Sequence, residues 1–457
     1  MQNHTKDKGT FDERGRRLDS VPLPPPDAAT ALSARAAAAP AQQVYLTAQA
    51  LDSGLNNNAK SASDCNLRAT WTAAPTSTYE YVYIYDHEPP QIGEEAGTPY
   101  TWARTFAPDG TQEASYLFGG GPEASLTYLC RFWVAYVRYD ASGKYRIVAR
   151  APFRAGQSQW MANVLRDAPA WGNLKLDEIF IPGPHDSGTF DMVDRGIPNR
   201  YNQTQSLSFV DQLNAGARWL DIRMGYYQSY EKGAEGPFFT VHDVYGSWSA
   251  WSTALKDIAG WLASSPQEIV FLNFKWEGPM CENEVWKDAN DNTVWAEALK
   301  TRVLQMSYDA LKGHGVLPRS EHATATVNAM LGKNRHVVLM TASSYDPLSG
   351  TGPDGDPICP GVDYDWFDKY YITDLIPALD ASLNKPRTWM WASGTVLTPH
   401  KYNGTIPWGV YSLTMDAIDR LNHWIRVNAG KLNVVSVDFM ESSVVMPLVE
   451  AINKARV

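Results

Sequence analysis

The stretch Ile181-Pro182-Gly183-Pro184-His185-Asp186-Ser187-Gly188-Thr189-Phe190 decides how this chain is read. A short apolar run, Ile179-Phe180-Ile181, ends in Pro-Gly, and a His-Asp pair follows where the chain must turn out of a strand. Alone, a His-Asp dipeptide beside glycine is more often turn polarity than catalysis. What surrounds it changes that balance. Reading short apolar runs as strands gives eight: 178–183, 219–224, 238–242, 269–275, 336–340, 370–373, 389–393 and 434–440. Residues 248–263, with Trp248, Trp251, Leu255, Ile258 and Leu262 on one stripe, read as a helix, as do 291–311 and 411–427. Eight strands alternating with helices predict a (β/α)8 TIM-like barrel, regular or distorted, whose active site lies at the C-terminal strand ends.

The ionisable residues at those strand ends are His185 and Asp186, Asp221 and Arg223, His242 and Asp243, Lys275, Asp374 and Asp438. Two histidines with carboxylates on the same face suit acid–base cleavage of a phosphodiester, one imidazole taking a proton and the other giving one. An arginine beside them stabilises charge on phosphate oxygens. Each residue singly has a plainer reading: Arg223 and Asp221 as a buried ion pair, Lys275 as a solvated strand end, Asp438 as a helix cap.

The stretches IPGPHDSGTF (181–190), FVDQLNAGARWLDIRM (209–224), FFTVHDVYG (238–246), WLASSPQEIVFLNFK (261–275) and NVVSVDFM (433–440) resemble the catalytic X domain of phosphatidylinositol-specific phospholipase C, of the small metal-independent bacterial type. The resemblance implies His185 as general base on the inositol 2-hydroxyl, oriented by Asp438. It implies His242 as general acid for the diacylglycerol oxygen, coupled to Asp186, with Arg223 on the phosphate. Lys275, Asp374 and Asp221 are implied to bind substrate, and the implied product is inositol 1,2-cyclic phosphate. Calcium-dependent relatives carry Asn after the first His and a Glu-x-Asp pair on the second strand. Asp186 and Asp221-Ile222-Arg223 stand there instead, so a fixed positive charge takes the ion's place and no Ca²⁺ or other cofactor is expected. Thr341 and Ile376 align where that family has an Arg and a Tyr against the inositol ring, which leaves the headgroup open. Two other readings remain: a metal-dependent glycerophosphodiesterase or sphingomyelinase-D-like barrel, and a non-catalytic inositol-lipid-binding module.

Net charge is −10, from 40 basic and 50 acidic residues, which argues against a nucleic acid as main partner. The expected partner is an inositol phospholipid at a membrane or micelle surface, with Trp408 the candidate for an apolar rim and Trp389 and Trp391 assigned to the barrel core. No apolar run is long enough to span a bilayer. Neither does the polar N-terminus read as an ordinary secretory signal, leaving a cytoplasmic protein or one exported by another route. Four cysteines, Cys65, Cys130, Cys281 and Cys359, lack metal-ligand spacing and read as free thiols, or as two intradomain disulfides in an exported protein.

Three regions follow from composition. Residues 1–43 are charged, then rich in Pro and Ala, and read as a disordered tail or linker. Residues 44–155 carry β-rich runs at 44–48, 68–71, 79–85, 114–118, 128–137 and 145–149, with a hairpin signal at Ser142-Gly143. They predict an all-β sandwich, which resembles the SKICH-type immunoglobulin-like domain in its Trp102 segment and its YVRYDASGKYRIVARAPF ending. Residues 156–457 form the expected barrel.

Overall fold

The computed structural model describes residues 43–50, 65–72, 80–99, 101–104, 110–114, 132–152, 157–192, 202–227, 236–242, 245–276, 285–287, 293–295, 297–341, 356–387, 389–400 and 409–457. The expected tail, Asp243, Trp408, Cys130 and Cys281 lie outside them.

The strand that opens the barrel shows how local sequence shapes the circuit. Strand Ile181–Pro184 runs parallel to Val434–Val437, with Ile181 N donating to Asn433 O and His185 N to Val437 O. The alternate residues, Pro182 and Pro184, have no N–H to offer the other side. There the seam with strand Trp219–Tyr226 is reduced to a hydrogen bond from Arg218 N to Pro182 O. Gly183 makes the close approach possible, since a Cβ there would sit 2.4 Å from the Trp219 ring.

From Trp219–Tyr226 the circuit continues in parallel through Val270–Trp276 and Val337–Thr341 to Ile358–Pro360. The chain then crosses, within two residues, into Asp363–Asp365, which pairs in parallel with Trp391–Gly394, itself parallel to Val434–Val437. The segment 358–365 is therefore one crooked barrel position with a different neighbour on each side. Its residues alternate poorly and its strand pieces are three residues long, so no apolar run marks them.

Two expectations are corrected here. Residues 370–373 are not a strand: Ile372–Ser382 is a helix, and the strand expected there is Asp363–Asp365, a few residues earlier. Strand Phe238–His242 exists but runs antiparallel to Trp219–Tyr226 and pairs on its far side with Tyr245–Ala250. It branches off the ring. The expected helix at 248–263 accordingly begins later, at Trp251–Ala263; Glu297–Leu311 and Val410–Asn428 match the other two. Trp389 and Trp391 are buried, as a core assignment requires.

The N-terminal strands form two antiparallel sheets, one of Gln43–Ala50, Cys65–Thr72 and Gly110–Ala114, the other of Thr101–Arg104, Glu80–Tyr85, Trp133–Tyr139 and Tyr145–Pro152. Thr101–Arg104 lies outside the β-rich runs that the sequence predicts. The Ser142-Gly143 turn closes the hairpin, Asp140 N donating to Lys144 O while Gly143 takes a φ of +81°. Val44, Leu46, Ala69 and Trp71 of the first sheet and Val82, Ile84, Val134 and Tyr136 of the second join one apolar cluster that continues into the barrel. Among the described residues no helix is long and apolar enough to cross a membrane. Cys359 is buried, its Sγ 3.7 Å from Leu317 O.

Candidate active site

His185 and Asp186 sit where strand Ile181–Pro184 ends, and the turn is tight because Asp186 adopts a left-handed conformation, φ 45° and ψ 59°. Asp438 ends the neighbouring strand Val434–Val437 and is followed by a second non-glycine residue in that region, Phe439, φ 47°. Such conformations cost on the order of 1 kcal/mol each and gather where a side chain must be aimed. They aim the two side chains at each other: His185 Nδ1 lies 2.8 Å from Asp438 Oδ1. With Nδ1–H donating to that carboxylate, Nε2 is the lone-pair nitrogen, and it faces Arg223 Nη2 at 2.7 Å. Burial, and the nearby positive charges of Arg223, Lys275 and His242, hold the His185 pKa well below the ordinary imidazole value. The ring is neutral at pH 7. Burial drives the Asp438 carboxyl the other way, well above its usual range, opposed by the Thr414 hydroxyl and the Arg223 charge.

Asp186 is the centre of the cluster. Its Oδ1 pairs with Arg223 Nε, and its Oδ2 lies 3.4 Å from His185 Nε2 and 3.4 Å from His242 Nε2. His242 ends strand Phe238–His242, its Nδ1 donating to Asn202 O at 2.7 Å, which turns Nε2 toward the shared space. The imidazole centroids are 6.3 Å apart. Asp221, on strand Trp219–Tyr226, accepts from Asp186 N at 3.3 Å and from Lys275 Nζ at 3.0 and 3.2 Å. The antiparallel branch thus has a use: it brings His242 over the mouth from outside the ring.

Of the nine strand-end residues singled out from sequence, seven, His185, Asp186, Asp221, Arg223, His242, Lys275 and Asp438, meet in this cluster, and Asp243 lies outside the described residues. Asp374 does not share their setting. It is exposed in the first turn of helix Ile372–Ser382, a consequence of the misplaced strand. The corrected strand supplies different residues. Tyr364 is stacked on Trp219, lies under Lys275 Nζ at 3.9 Å and meets Ser436 Oγ at 3.0 Å. Trp366 lies 5.1 Å from the His185 ring and 6.0 Å from the Arg223 guanidinium, and it is 42% exposed. Thr341 is buried at its strand end and Ile376 belongs to the helix.

Sequence reasoning also passed over the polar run Asn202-Gln203-Thr204-Gln205-Ser206. All five are buried, forming a strap beneath the cluster. Thr204 Oγ1 and Gln205 Nε2 both donate to His185 O at 2.9 Å, and Gln205 Nε2 also donates to Val437 O. A buried polar run without apolar alternation is the signal that was available, since such groups enter an interior only when hydrogen-bonded.

Among the described residues His185, Asp186 and Asp221 could offer a metal ion three ligand atoms within 4.8 Å of one another. The fit is poor. The Arg223 guanidinium already meets His185 Nε2 and Asp186 Oδ1, and the Lys275 ammonium meets both oxygens of Asp221, so two fixed cations hold the donor atoms.

A pair of imidazoles converging on one carboxylate, with a buried arginine against the first, is thus the core of the site, and the chain is similar in sequence to named proteins. Human PI-PLC X domain-containing protein 2 is 30% identical over 139 residues, covering 26% of this chain and 43% of that protein. The homologues of this chain are named PI-PLC X domain-containing proteins. Human PI-PLC X domain-containing protein 1 is 23% identical over 338 residues, 67% of this chain and 95% of the relative. The first of these matches therefore spans less than half of the relative's length. No family model matches. Solved structures similar to the chain include the F249X mutant of phosphatidylinositol-specific phospholipase C from Staphylococcus aureus, TM-score 0.46 at 17% identity over 66% of this chain and 98% of that one. The enzyme from Listeria monocytogenes gives 0.45 at 15% identity, over 66% and 99%. The likeness of the N-terminal strands to a SKICH-type sandwich receives no support from these comparisons.

Proposed function

We propose that this chain is a phosphodiesterase that cleaves phosphatidylinositol, or a related inositol phospholipid, to diacylglycerol and inositol 1,2-cyclic phosphate. Residues 156–457 are the catalytic barrel in this reading, and the two N-terminal sheets are a β-sandwich, 44–155, packed onto it. One observation carries the proposal: the Nε2 atoms of His185 and His242 both face Asp186 Oδ2 at 3.4 Å, with Arg223 in the same pocket. A mere binding module has no use for a neutral base and a second imidazole aimed at one point.

The neutral His185, its Nδ1–H held by Asp438, takes the proton of the hydroxyl adjacent to the phosphate. That oxygen attacks phosphorus while the phosphorus–oxygen bond to diacylglycerol breaks. The departing oxygen takes its proton from His242 Nε2, and Asp186 favours the protonated ring from which it comes. Arg223 carries the phosphate charge. Lys275 and Asp221 face the headgroup. Internal attack is fast because nucleophile and phosphorus are already held together. Trp366, partly exposed beside His185, is a further apolar rim residue in this reading, alongside the Trp408 expected from sequence, which lies outside the described residues.

A metal-dependent reading rests on the His185, Asp186 and Asp221 donor set. The cations already paired with those donors favour metal independence. Phosphorus NMR of the purified protein with phosphatidylinositol micelles tests both: a cyclic phosphodiester signal, undiminished in excess EDTA, is expected. Absence of turnover on any inositol lipid returns the chain to the binding-module reading, and loss of the signal in EDTA refutes the metal-free site.

A further inference from the structure

Beneath the site lies a buried acid that the proposed chemistry does not use. Glu441 follows Asp438 and Phe439 in the short 3-10 turn Met440–Ser442 and is fully buried. Its Oε1 accepts from Ser206 Oγ, and its Oε2 has no hydrogen-bonding partner among the described residues. A buried carboxyl with one neutral partner and no cation among the described residues is an expensive arrangement. It calls for a reason.

The reason lies in what Ser206 belongs to. Ser206 ends the strap whose first residue, Asn202, fixes the His242 ring through its carbonyl. Thr204 and Gln205 hold the His185 carbonyl. Thr204 O also accepts from Phe439 N at 2.7 Å, and Gln205 Oε1 accepts from Met440 N at 3.3 Å. One five-residue peptide therefore registers both imidazoles against each other and against the turn that carries Asp438, and its last link is to Glu441.

Resting on the phosphodiesterase reading, we propose that Glu441 is a positioning residue for the acid–base pair, holding through Ser206 the strap to which His185 and His242 are both tied.

Among the described residues, the elements packed on this turn offer the carboxyl no counter-charge. Helix Phe209–Ala215 contributes Asp211, which is exposed and hydrogen-bonded to Ser208. Helix Val445–Lys454 contributes Glu450 and Lys454, which pair with each other. Asp438 is committed to His185. Strand Gln43–Ala50 of the N-terminal region also packs against Met440–Ser442, so that region helps to keep water from the carboxyl. Burial pushes the Glu441 pKa up to about 7, the Ser206 hydroxyl and its own amide pulling weakly the other way. The anchor thus gains a charge inside the physiological range, and the strap is the element that answers to it.

The test reads the histidines directly, so that it does not depend on turnover. Histidine-selective ¹⁵N labelling of the full chain follows the Nδ1–H signals of His185 and His242 from about pH 5.5 to about pH 8.5. In the unaltered chain both signals are expected to move together through a transition near the Glu441 pKa. E441Q, which keeps the shape and removes the charge, abolishes that shared movement, and so does S206A, which removes the link. Identical titration of both signals in the unaltered chain and in both variants overturns the proposal, as does a shared movement that survives S206A alone. Where turnover is present, S206A lowers kcat about tenfold with KM unchanged; a change in KM alone counts against positioning. Shared movement without any turnover keeps the strap and sinks the phosphodiesterase reading, which separates the two failures.

Discussion

Two arginines five residues apart, one just before a strand and one within it, have opposite fates. Arg218 precedes strand Trp219–Tyr226 and is completely buried, its guanidinium paired with Glu268 and donating to the carbonyls of Leu213, Ala217, Gln157 and Ser158. It lies between the rings of Trp160 and Trp261, 5.6 and 4.7 Å away. Glu268 in turn accepts from the amides of Met161 and Ala162. Every strong group there is matched, so the pair is committed to holding the bottom of the barrel. Arg223, five residues further on, pairs with the carboxylates of Asp186 and Asp221 and meets the neutral His185 ring at Nε2, with the Lys275 ammonium sharing Asp221. The first pair is enclosed by protein groups alone; the second gathers charges of both signs with two imidazoles at the strand ends, the setting in which perturbed groups mark a functional site.

Mutations that separate stability from turnover test that contrast. The largest effects are expected at the mouth: His185→Ala and His242→Ala should each lower turnover of phosphatidylinositol roughly 10²–10⁴-fold while leaving thermal unfolding nearly unchanged. Arg218→Met should do the reverse, costing about 3–5 kcal/mol by stranding Glu268, while the protein that remains folded keeps its specific activity. Comparable loss of stability from both kinds of variant, in denaturant melts, erases the distinction. Arg223→Lys should lower kcat roughly 10²–10³-fold, because a point charge cannot span His185, Asp186 and a phosphate as a planar fork does. Trp366→Ala should raise KM about tenfold on lipid vesicles with little effect on kcat or unfolding, since the ring is partly exposed and its contacts are at the rim. A fall in kcat alone would move Trp366 from the rim into the chemistry.

The same contrast explains what could be read from the chain itself. Strands buried on both faces, such as Val270–Trp276 and Val337–Thr341, are continuous apolar runs and stand out, as do the charged residues that interrupt them at their ends. Asp363–Asp365 does not stand out, because it is three residues long and two of them are charged. Arg387 and Lys385 complete it by pairing with Asp363 and Asp365, a tertiary fact that no local window holds. That omission displaced the sixth strand onto 370–373, put Asp374 in the site and left Tyr364 and Trp366 out of it. The strap was invisible for a related reason: Asn202 to Ser206 looks like any solvated loop until the groups that satisfy it are known. Residues whose role depends on their own chemistry were legible, and residues whose role depends on a partner were not.

The smallest expected effect concerns pH, and it sets two buried groups against each other. His185 has a depressed pKa in the folded protein, so its contribution is present above the unfolded imidazole value and is lost as pH falls below it. Glu441 has a raised pKa, so its contribution is complete below the unfolded carboxyl value and is lost as pH rises through about 7. Acid therefore weakens the protein through the site, and mild alkali weakens it through the strap anchor. The shift of Glu441 from 4.5 to about 7 is worth roughly 3 kcal/mol at most. E441Q cannot ionise, so relative to the unaltered chain its melting temperature should be unchanged or slightly lower near pH 5 and higher near pH 8. Parallel melting curves for the two proteins across that range would mean that Glu441 does not ionise in the folded state, and would count against the strap anchor together with an absence of the shared histidine movement in the unaltered chain.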